Sequence, residues 1–425
     1  MMKFKIISLG CKVNSYECQS LASLLIKRGH EEAKDHPNEE VGIAIINTCS
    51  VTATADQKSR QHIRKLRNNY PNAIICVMGC YSQKSHDFII NDIKADIVVG
   101  TSNRHLIPDY IDEFHRNHQQ IDATEDKSRF FSYEELGITS YNENVRAYLK
   151  IQDGCDNFCS YCIIPFTRGK SRSRDPKNII DEAKYLIEKG YKEIVITGIH
   201  VGGYGNDLVG YKFSDLIDDL SSLEGLYSLR ISSIEESEID ERLITLVKER
   251  KNIAKHLHIP LQSGSKSVLQ RMNRKYNCDE FLSTLRKIRK EIPDIALTTD
   301  VIVGFPGESE EEFNETYEFI KKCDFNMLHV FPFSARENTK AIRMPNQIAP
   351  DVKKRRVNVL LDLSETLWDA YTERFDGHEV DVLVEEYDEK TSINRGHTTN
   401  YLDISFKNKD NLVGKVVKTT YKKQE

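Results

Sequence analysis

Short runs of β-branched and apolar residues alternate along this chain with stretches of helical periodicity, and this alternation constrains the fold more than any other feature. The first such runs are residues 4–9, 41–46 and 73–78. They are typical of strands buried in a parallel sheet. A helix is expected between the first two, over residues 15–28, where Gly29 would end it. The pattern predicts an N-terminal parallel α/β domain over residues 1–125.

The same alternation recurs further on and predicts a central α/β domain over residues 141–372. Six strands are predicted there, at residues 145–151, 193–197, 227–232, 256–261, 296–304 and 327–331. Helix starts are readable at Asp175, which precedes a proline, and at Ser309, which forms a capping box with Glu312. Six strand-helix units are too few to close an eight-stranded barrel.

The end of the chain changes character. After a predicted helix over residues 352–375, three short alternating runs at residues 380–385, 401–406 and 413–419 predict strands. They indicate a small all-β module over residues 373–425. The module has more acidic than basic residues, so it is not a simple basic clamp for nucleic acid.

Composition limits the function classes. The 425 residues carry 60 Lys and Arg against 65 Asp and Glu, a formal net charge of -5, so no global basic field attracts nucleic acid. Neither a signal peptide at residues 1–11 nor an apolar run long enough for a membrane span is recognisable. We therefore expect a cytoplasmic protein without membrane contact, whose 10 cysteines are thiols or metal ligands rather than disulfides.

Three closely spaced cysteines, Cys155, Cys159 and Cys162, offer three thiolates and no fourth ligand. A closed zinc site would need that fourth ligand, and the nearest histidines, His118 and His200, lie outside the usual spacing. Disulfides between such near neighbours would close strained rings. The spacing therefore predicts a [4Fe-4S] cluster with one open iron.

A second group of cysteines is dispersed along the chain. Cys11, Cys49 and Cys80 each follow one of the first three predicted strands within a few residues. Because the carboxyl ends of parallel strands share one edge of a sheet, the three thiols should converge there. Geometry alone leaves two interpretations open, a second cluster or ordinary buried thiols. Cys18 shares helical phase with Leu21 and indicates core packing.

The loop of Cys155, Cys159 and Cys162, with Tyr161 as the aromatic before the last cysteine, resembles the radical S-adenosylmethionine (SAM) enzymes. The resemblance implies an open (β/α)6 barrel, with SAM bound to the open iron and held at the carboxyl ends of the strands. The residues found there are Gly198, Ser232, Gln262 and Asp300, and Tyr161 of the cluster loop is expected to bind the cofactor with them. Three of them also have a structural interpretation: Gly198 as a turn, Ser232 as a satisfied hydroxyl and Asp300 as a paired carboxylate.

The segments around Cys11, Cys49 and Cys80 are similar to the N-terminal domain of the methylthiotransferases, radical SAM enzymes with a second [4Fe-4S] cluster on three such cysteines. The terminal motifs 396–401 and 413–417 are similar to the TRAM domain, an RNA-binding β-barrel. The resemblance implies methylthiolation at carbon 2 of an adenine in the anticodon stem-loop of tRNA. It also implies an electron donor such as flavodoxin or ferredoxin, and we expect a monomer.

Within that family, the segments 11–14, 49–56 and 197–205 look most like members acting on threonylcarbamoyl-adenosine. Other branches act on isopentenyl-adenosine or on an aspartate of a ribosomal protein. A chain of this kind could also be a non-catalytic Fe-S protein that binds RNA.

Basic residues follow the cluster loop at alternate positions, namely Arg168, Lys170, Arg172 and Arg174. Charge runs are usually solvated faces. The position of this one beside a proposed cluster favours contacts to RNA phosphates. Two further basic groups lie within residues 58–67 and 353–356.

Overall fold

The N-terminal sheet has six parallel strands in the order β2-β1-β3-β4-β5-β6. The computed structural model describes residues 1–34, 40–130, 132–137 and 145–423. The strands are β1 (Lys3–Ser8), β2 (Glu31–Glu32), β3 (Ile43–Thr48), β4 (Ile74–Gly79), β5 (Ile97–Val98) and β6 (Ile121–Asp122). Both β3 and β4 are buried along their whole length, as parallel strands covered on both faces should be. The three strands predicted first are confirmed within two residues.

Four helices cover this sheet: α1 (Lys12–Lys27), α2 (Ala53–Asn69), α3 (Cys80–Asn91) and α4 (Ile107–Asn117). The helix α1 begins three residues earlier than predicted, directly after Cys11. Its apolar stripe of Cys18, Leu21 and Leu25 packs against the sheet, which confirms Cys18 as core. Cys49 directly follows β3, and α2 begins a few residues later. Cys80 directly follows β4 and is the first residue of α3.

The central barrel is open, as predicted. Its strands are β7 (Arg146–Asp153), β8 (Arg172–Ser173), β9 (Glu193–Gly198), β10 (Ser228–Ile231), β11 (His256–His258), β12 (Ala296–Val303) and β13 (Met327–Pro332). All are parallel except β8, which pairs antiparallel with β7 at one edge. Single backbone bridges, such as that between Ser233 and His258, connect β10 to β11.

The helices of the barrel pack outside the strands over one large apolar core. They are α5 (Ile164–Thr167), α6 (Pro176–Glu188), α7 (Phe213–Ser221), α8 (Glu241–Glu249), α9 (Lys266–Arg271), α10 (Cys278–Glu291), α11 (Glu310–Cys323) and α12 (Pro350–Glu373). Asp175 caps α6, and Ser309 with Glu312 forms the capping box of α11, so both predicted helix starts are confirmed. No helix among the described residues is long and apolar enough to cross a membrane.

The C-terminal module is a four-stranded antiparallel sheet in the order β16-β15-β14-β17, consistent with a TRAM-like domain. Its strands are β14 (Glu379–Asp388), β15 (Ile393–His397), β16 (Asp403–Lys407) and β17 (Val416–Thr420). The strand β15 was not predicted. The domain limits at residues 125, 372 and 373 stay predictions, and the predicted limit at residue 141 lies outside the described residues.

Buried charged residues connect this module to strands β9 and β10 of the barrel. Arg230, at 1% exposure, donates to the carbonyl of Thr399 at 3.0 Å and lies 4.0 Å from the centre of the Tyr401 ring. His397 lies between two carboxylates, 2.6 Å from Glu385 and 3.5 Å from Glu193. The TRAM-like sheet is therefore packed against the barrel rather than suspended from a linker.

Candidate cluster sites and the interface between them

The three dispersed cysteines converge at the carboxyl edge of the N-terminal sheet. Cys11, Cys49 and Cys80 lie near enough for their charges to interact. The turn at Gly10 makes this possible, because its φ of +102° suits glycine and a Cβ there would lie 2.8 Å from the Cys49 sulfur. The structure therefore brings together thiols that are up to 69 positions apart in the sequence.

Asn14 ties the turns of this first site together. Its amide donates to the carbonyls of Leu9 at 2.6 Å and Thr48 at 3.2 Å, while its oxygen faces the Cys11 sulfur at 3.7 Å. Burial raises the pKa of the Cys11 thiol, and it raises that of Cys49 to about 11. Thiols in such surroundings become thiolates when a cation binds them. The donor set therefore fits an iron-sulfur cluster.

The second site is the loop after β7. Cys155, Cys159 and Cys162 are half-buried, and burial raises the pKa of both Cys155 and Cys162 to about 12. Backbone hydrogen bonds fix the loop, from Ser160 to the carbonyl of Met272 at 2.9 Å and from Cys155 to that of Gly169 at 3.1 Å. The three thiols therefore stand on a rigid support, which also fits a cluster.

No three Cys, His, Asp or Glu side chains in the described ranges are gathered tightly enough to hold a single metal ion. A cubane cluster makes a different demand, because each thiolate binds a separate corner iron. The three thiols of each triplet could supply three such ligands.

The residues expected to hold SAM lie at or near the carboxyl ends of the barrel strands. Gly198 ends β9, and a Cβ there would lie 3.2 Å from the carbonyl of Gln152. Ser232 follows β10 and donates to the carbonyl of Ile196 at 2.5 Å. Close packing explains why residue 198 is a glycine, and the carbonyl of Ile196 satisfies the hydroxyl of Ser232. A role for either in SAM binding stays a prediction.

The remaining three expected SAM residues have different surroundings. Gln262 has a φ of +63°. Its N–H donates to the carbonyl of Asp300, and its carbonyl accepts from the N–H of Ile302, both on β12. Asp300 lies 3.3 Å from the ring of His258. The ring of Tyr161 packs edge-on against Phe305 with centroids 6.4 Å apart, so this contact supports the cluster loop. Their contacts to SAM stay predictions.

Arg168 and its neighbours contradict the expected row of phosphate contacts. Arg168 is completely buried, and its guanidinium donates to Asp153 at 3.0 Å and to Glu17 at 2.8 Å. Arg174 is buried against Glu182 at 2.7 Å. Arg172 is buried and donates to the carbonyls of Arg168 and Lys170. Only Lys170 of the four is exposed, so the prediction was wrong for the three arginines: their partners lie inside the protein.

These arginines belong to a buried ion network between the first two domains. Glu17 of α1 pairs with Arg104, Lys150 and Arg168, and Asp153 of β7 shares all three partners. Burial alone would raise the pKa of Glu17, but Arg104, Arg168 and Lys150 together hold it well below its usual value. Burial would likewise raise the pKa of Asp153, but Arg168, Lys150 and Arg104 hold it well below its usual value. Both carboxylates are therefore charged and neutralised in the interior.

Sequence reasoning missed Glu17 and Arg274. Arg274 follows α9, lies 3.4 Å from the Cys159 sulfur and pairs with Glu235. Nothing in its local sequence marks it. Glu17 carried a usable signal, because it stands four positions before the core residue Leu21 on the inner face of α1.

A basic cavity of about 660 Å³ opens between α3 and α5, the helices that follow Cys80 and Cys162. The cations among its lining residues are Lys84, Lys127, Lys340 and Arg343. Lys84 pairs with Asp56 and Glu337, whereas the other three have no ion pair within the described part of the chain. This cavity is a better candidate for phosphate contacts than the buried arginines.

Comparisons with known proteins agree with this architecture. Residues 149–320 match the radical SAM superfamily, and residues 3–100 match the uncharacterized protein family UPF0004. The radical SAM methyltransferase TsrM from Kitasatospora setae superposes with a TM-score of 0.60 over 78% of this chain and 73% of its own, at 12% identity. That similarity shows the fold alone.

Two curated relatives span nearly the whole chain. Threonylcarbamoyladenosine tRNA methylthiotransferase MtaB of Bacillus subtilis (strain 168) is 45% identical over 97% of this chain and 92% of its own length. The tRNA-2-methylthio-N(6)-dimethylallyladenosine synthase of Geobacillus thermodenitrificans (strain NG80-2) is 34% identical over 98% of this chain and 80% of its own.

An open barrel with a three-cysteine loop at its mouth defines a radical SAM enzyme. A second cysteine triplet, on an N-terminal α/β sheet, distinguishes this chain from a barrel that carries one cluster loop. The chain belongs to the radical SAM methylthiotransferase family. Enzymes of this family use SAM and [4Fe-4S] clusters, and the two cysteine triplets fit that requirement.

Proposed function

We propose that this enzyme transfers a methylthio group to carbon 2 of N6-threonylcarbamoyladenosine in the anticodon stem-loop of tRNA. The observation that supports this choice of substrate is the 45% identity, over 97% of the chain, to a threonylcarbamoyladenosine tRNA methylthiotransferase. The relative named for the dimethylallyl substrate is 34% identical. Both sequences cover the N-terminal sheet and the barrel, so the difference is not one of domain content.

The cofactors would supply two kinds of chemistry when bound: one SAM methylates a sulfur, and a second gives a 5′-deoxyadenosyl radical that removes the hydrogen from carbon 2. The protein itself orients the two sites. Cys155, Cys159 and Cys162 would hold the cluster that binds SAM, and Cys11, Cys49 and Cys80 the auxiliary cluster. Arg168 contacts Cys80 and Asp153 at once, so the two cysteine groups are fixed relative to each other.

The surroundings of the proposed SAM site fit the exclusion of water from a radical. Tyr161 packs against Phe305 beside the cluster loop, and Arg274, paired with Glu235, lies 3.4 Å from the Cys159 sulfur. Radicals are protected from side reactions when the site is enclosed. The contacts of Gly198, Ser232, Gln262 and Asp300 to SAM are part of this proposal.

The test uses purified tRNAs that differ in one nucleoside. Anaerobically reconstituted enzyme is incubated with SAM, a reductant and tRNA bearing threonylcarbamoyladenosine, isopentenyladenosine or unmodified adenosine. The tRNA is then digested to nucleosides, which are separated and identified by mass spectrometry. We expect a methylthio product from the first tRNA alone. A product from the isopentenylated tRNA alone would move the chain to the rival branch, and no product from any tRNA would favour a ribosomal protein substrate or a non-catalytic role.

The electron donor, a flavodoxin or ferredoxin, stays a prediction, as do the cytoplasmic location and the monomeric state. The cations Lys127, Lys340 and Arg343 are proposed to contact tRNA phosphates, together with exposed Lys170.

A further inference from the structure

Phe158, on the loop that carries the proposed SAM cluster, is 52% exposed to water. It directly precedes Cys159 and stands between that residue and Cys155 in the sequence. A single exposed apolar residue is common on protein surfaces and is not by itself a site. The backbone conformation of Phe158 and the residues around its ring distinguish it from such a case.

The backbone of Phe158 is left-handed, with a φ of +48°. Glycine and asparagine adopt this region readily, whereas a bulky aromatic residue does so only at a cost. The side-chain amide of Asn273 holds the turn by donating to the carbonyl of Phe158 at 3.0 Å. A loop that needed only this turn would be more stable with glycine or asparagine. The phenyl ring therefore contributes something that the fold of the loop does not require.

The ring of Phe158 is supported by a second aromatic ring, that of Phe166 on α5. The two rings meet edge-to-face, with centroids 6.2 Å apart and planes at 85°. An edge-to-face contact covers at most one face of each ring, so a face of Phe158 stays available, in agreement with the exposure of this residue. Because Phe166 restricts the orientation of the ring, little conformational entropy is lost when a flat partner binds it.

Cations lie next to this aromatic pair. The Lys127 ammonium lies 4.8 Å from the centre of the Phe166 ring. Lys127 and Phe166 both line the basic cavity between α3 and α5, together with Lys340 and Arg343. Proteins bind single-stranded nucleic acid with this combination, because bases stack on an exposed ring while cations contact the phosphates. The surface formed by Phe158 and the cavity therefore fits an unpaired stretch of RNA.

We propose that Phe158 stacks on the base of a nucleotide that adjoins the target adenosine in the anticodon loop. This inference rests on the proposed function. The target adenine itself must reach the cluster sites, whereas Phe158 is exposed on the loop of one of them, at the side of the basic cavity. A base that stacks there holds the RNA loop in place while the neighbouring adenosine enters. Phe158 is thus a contact to the substrate RNA outside the reacting nucleotide.

The test combines a protein variant with RNA variants. Labelled anticodon stem-loop RNAs that bear threonylcarbamoyladenosine are titrated with cluster-loaded, full-length enzyme, and binding is followed by fluorescence anisotropy. SAM is left out, so a contact of the ring to the cofactor does not affect the result. One RNA is intact, one is abasic directly 5′ of the target, and one is abasic directly 3′ of it. Phe158→Leu should bind the intact RNA about 5 to 150 times more weakly than wild type, as expected for one lost stacked base.

At least one of the two abasic RNAs should erase this difference, so that wild type and Phe158→Leu bind it within about twofold. The reason is that the ring has no base to stack on in that complex. Damage to the loop would instead weaken all three complexes alike. The inference is overturned if the penalty persists with both abasic RNAs, or if Phe158→Leu binds the intact RNA as tightly as wild type does.

Control variants separate stacking from damage. Phe158→Tyr keeps an aromatic face and should keep the wild-type affinity. Phe114→Leu alters a half-buried ring at the opposite, amino edge of the N-terminal sheet, beside Met2 and Ala73, and should not change binding. Iron content is measured for every variant. If Phe158→Leu loses iron, Phe158→Asn replaces it, because asparagine suits a left-handed backbone.

The salt dependence of binding gives a second readout. Stacking releases no counterions, so the slope of log affinity against log salt concentration should be the same for Phe158→Leu and wild type. A shallower slope for Phe158→Leu would assign its loss of affinity to displaced phosphate contacts and would overturn the inference.

Failure of this inference and failure of the proposed function give different results. If wild-type enzyme methylthiolates the threonylcarbamoylated tRNA but the Phe158→Leu penalty persists with both abasic RNAs, only the role of Phe158 is overturned. A wild-type enzyme that leaves that tRNA unmodified overturns the proposed function and this inference with it.

Discussion

The guanidinium of Arg168 lies 3.2 Å from the sulfur of Cys80, so an arginine of the barrel hydrogen-bonds a cysteine of the N-terminal domain. The same side chain bonds Asp153, two residues before Cys155. One buried residue therefore connects the supports of both proposed cluster sites. It contributes to the stability of the domain interface as well as to the surroundings of the auxiliary site.

Replacing Arg168 by methionine should destabilise the protein by about 3 to 5 kcal/mol, because Glu17 and Asp153 would lose a buried partner. The free energy of unfolding in urea measures this loss. Lys170→Met is the matched control, since Lys170 is exposed two positions away and should change stability by about 0.5 kcal/mol or less. Equal stability of the two variants would contradict the structural role of Arg168.

The two cysteine triplets should hold two independent clusters, with about eight iron atoms in the reconstituted wild-type protein. Changing Cys155, Cys159 and Cys162 together to alanine should halve the iron and abolish SAM cleavage. Changing Cys11, Cys49 and Cys80 should also halve the iron but leave SAM cleavage intact. The double variant Cys76→Ala and Cys323→Ala alters buried thiols outside both sites and should keep all iron. Full iron in the second triple variant would show that the auxiliary site is wrong.

Three cations of the basic cavity, Lys127, Lys340 and Arg343, should contact tRNA phosphates. Changing all three to alanine should make the slope of log affinity against log salt concentration shallower by about 2 to 3, because each lost contact releases fewer counterions. Lys251, Arg286 and Lys290 are exposed cations elsewhere and serve as a charge-matched control. If both triple variants reduce the slope equally, the cavity has no special role in RNA binding.

Docking of the C-terminal module should weaken as the pH rises. Burial lowers the pKa of His397, but hydrogen bonds to Glu193 and Glu385 outweigh burial and the opposing charge of Arg146, so the pKa is raised. A raised pKa in the folded state stabilises the protein below the unfolded value of about 6.5. That contribution is lost as the pH rises through the folded pKa.

The measurement is the difference in free energy of unfolding between wild type and His397→Gln across this pH range. We expect the difference to be largest below about pH 6.5 and to shrink at alkaline pH. A difference that is constant with pH would show that His397 is not protonated between its two carboxylates.

The sequence predicted the features that depend on local pattern. Strands β1, β3 and β4 coincide with runs rich in β-branched and apolar residues, and the convergence of Cys11, Cys49 and Cys80 follows once those strands are parallel neighbours. The capping box of Ser309 and Glu312 is equally local. The strand β15 was missed because its residues, Asn394 to Gly396 among them, show no apolar alternation.

The sequence could not predict where the charges go. Arg168, Arg172 and Arg174 read as an exposed basic run, because the carboxylates that pair with Arg168 and Arg174, such as Glu17 and Glu135, lie well outside that run. Glu17 is 151 positions away from Arg168 in the chain. This pairing depends on how α1 docks against the strands, which no short window of sequence contains.

The network around Glu17 also limits how such a protein could be assembled from parts during evolution. A cut near residue 140 would leave Glu17 and Glu134 with Arg104 in one fragment, and Asp153 with Lys150 and Arg168 in the other. Each fragment would then expose or bury unmatched charge. Recombination between related genes at that point should therefore succeed only when both parents carry a complementary set. We expect the N-terminal domain and the barrel to be inherited as a matched pair.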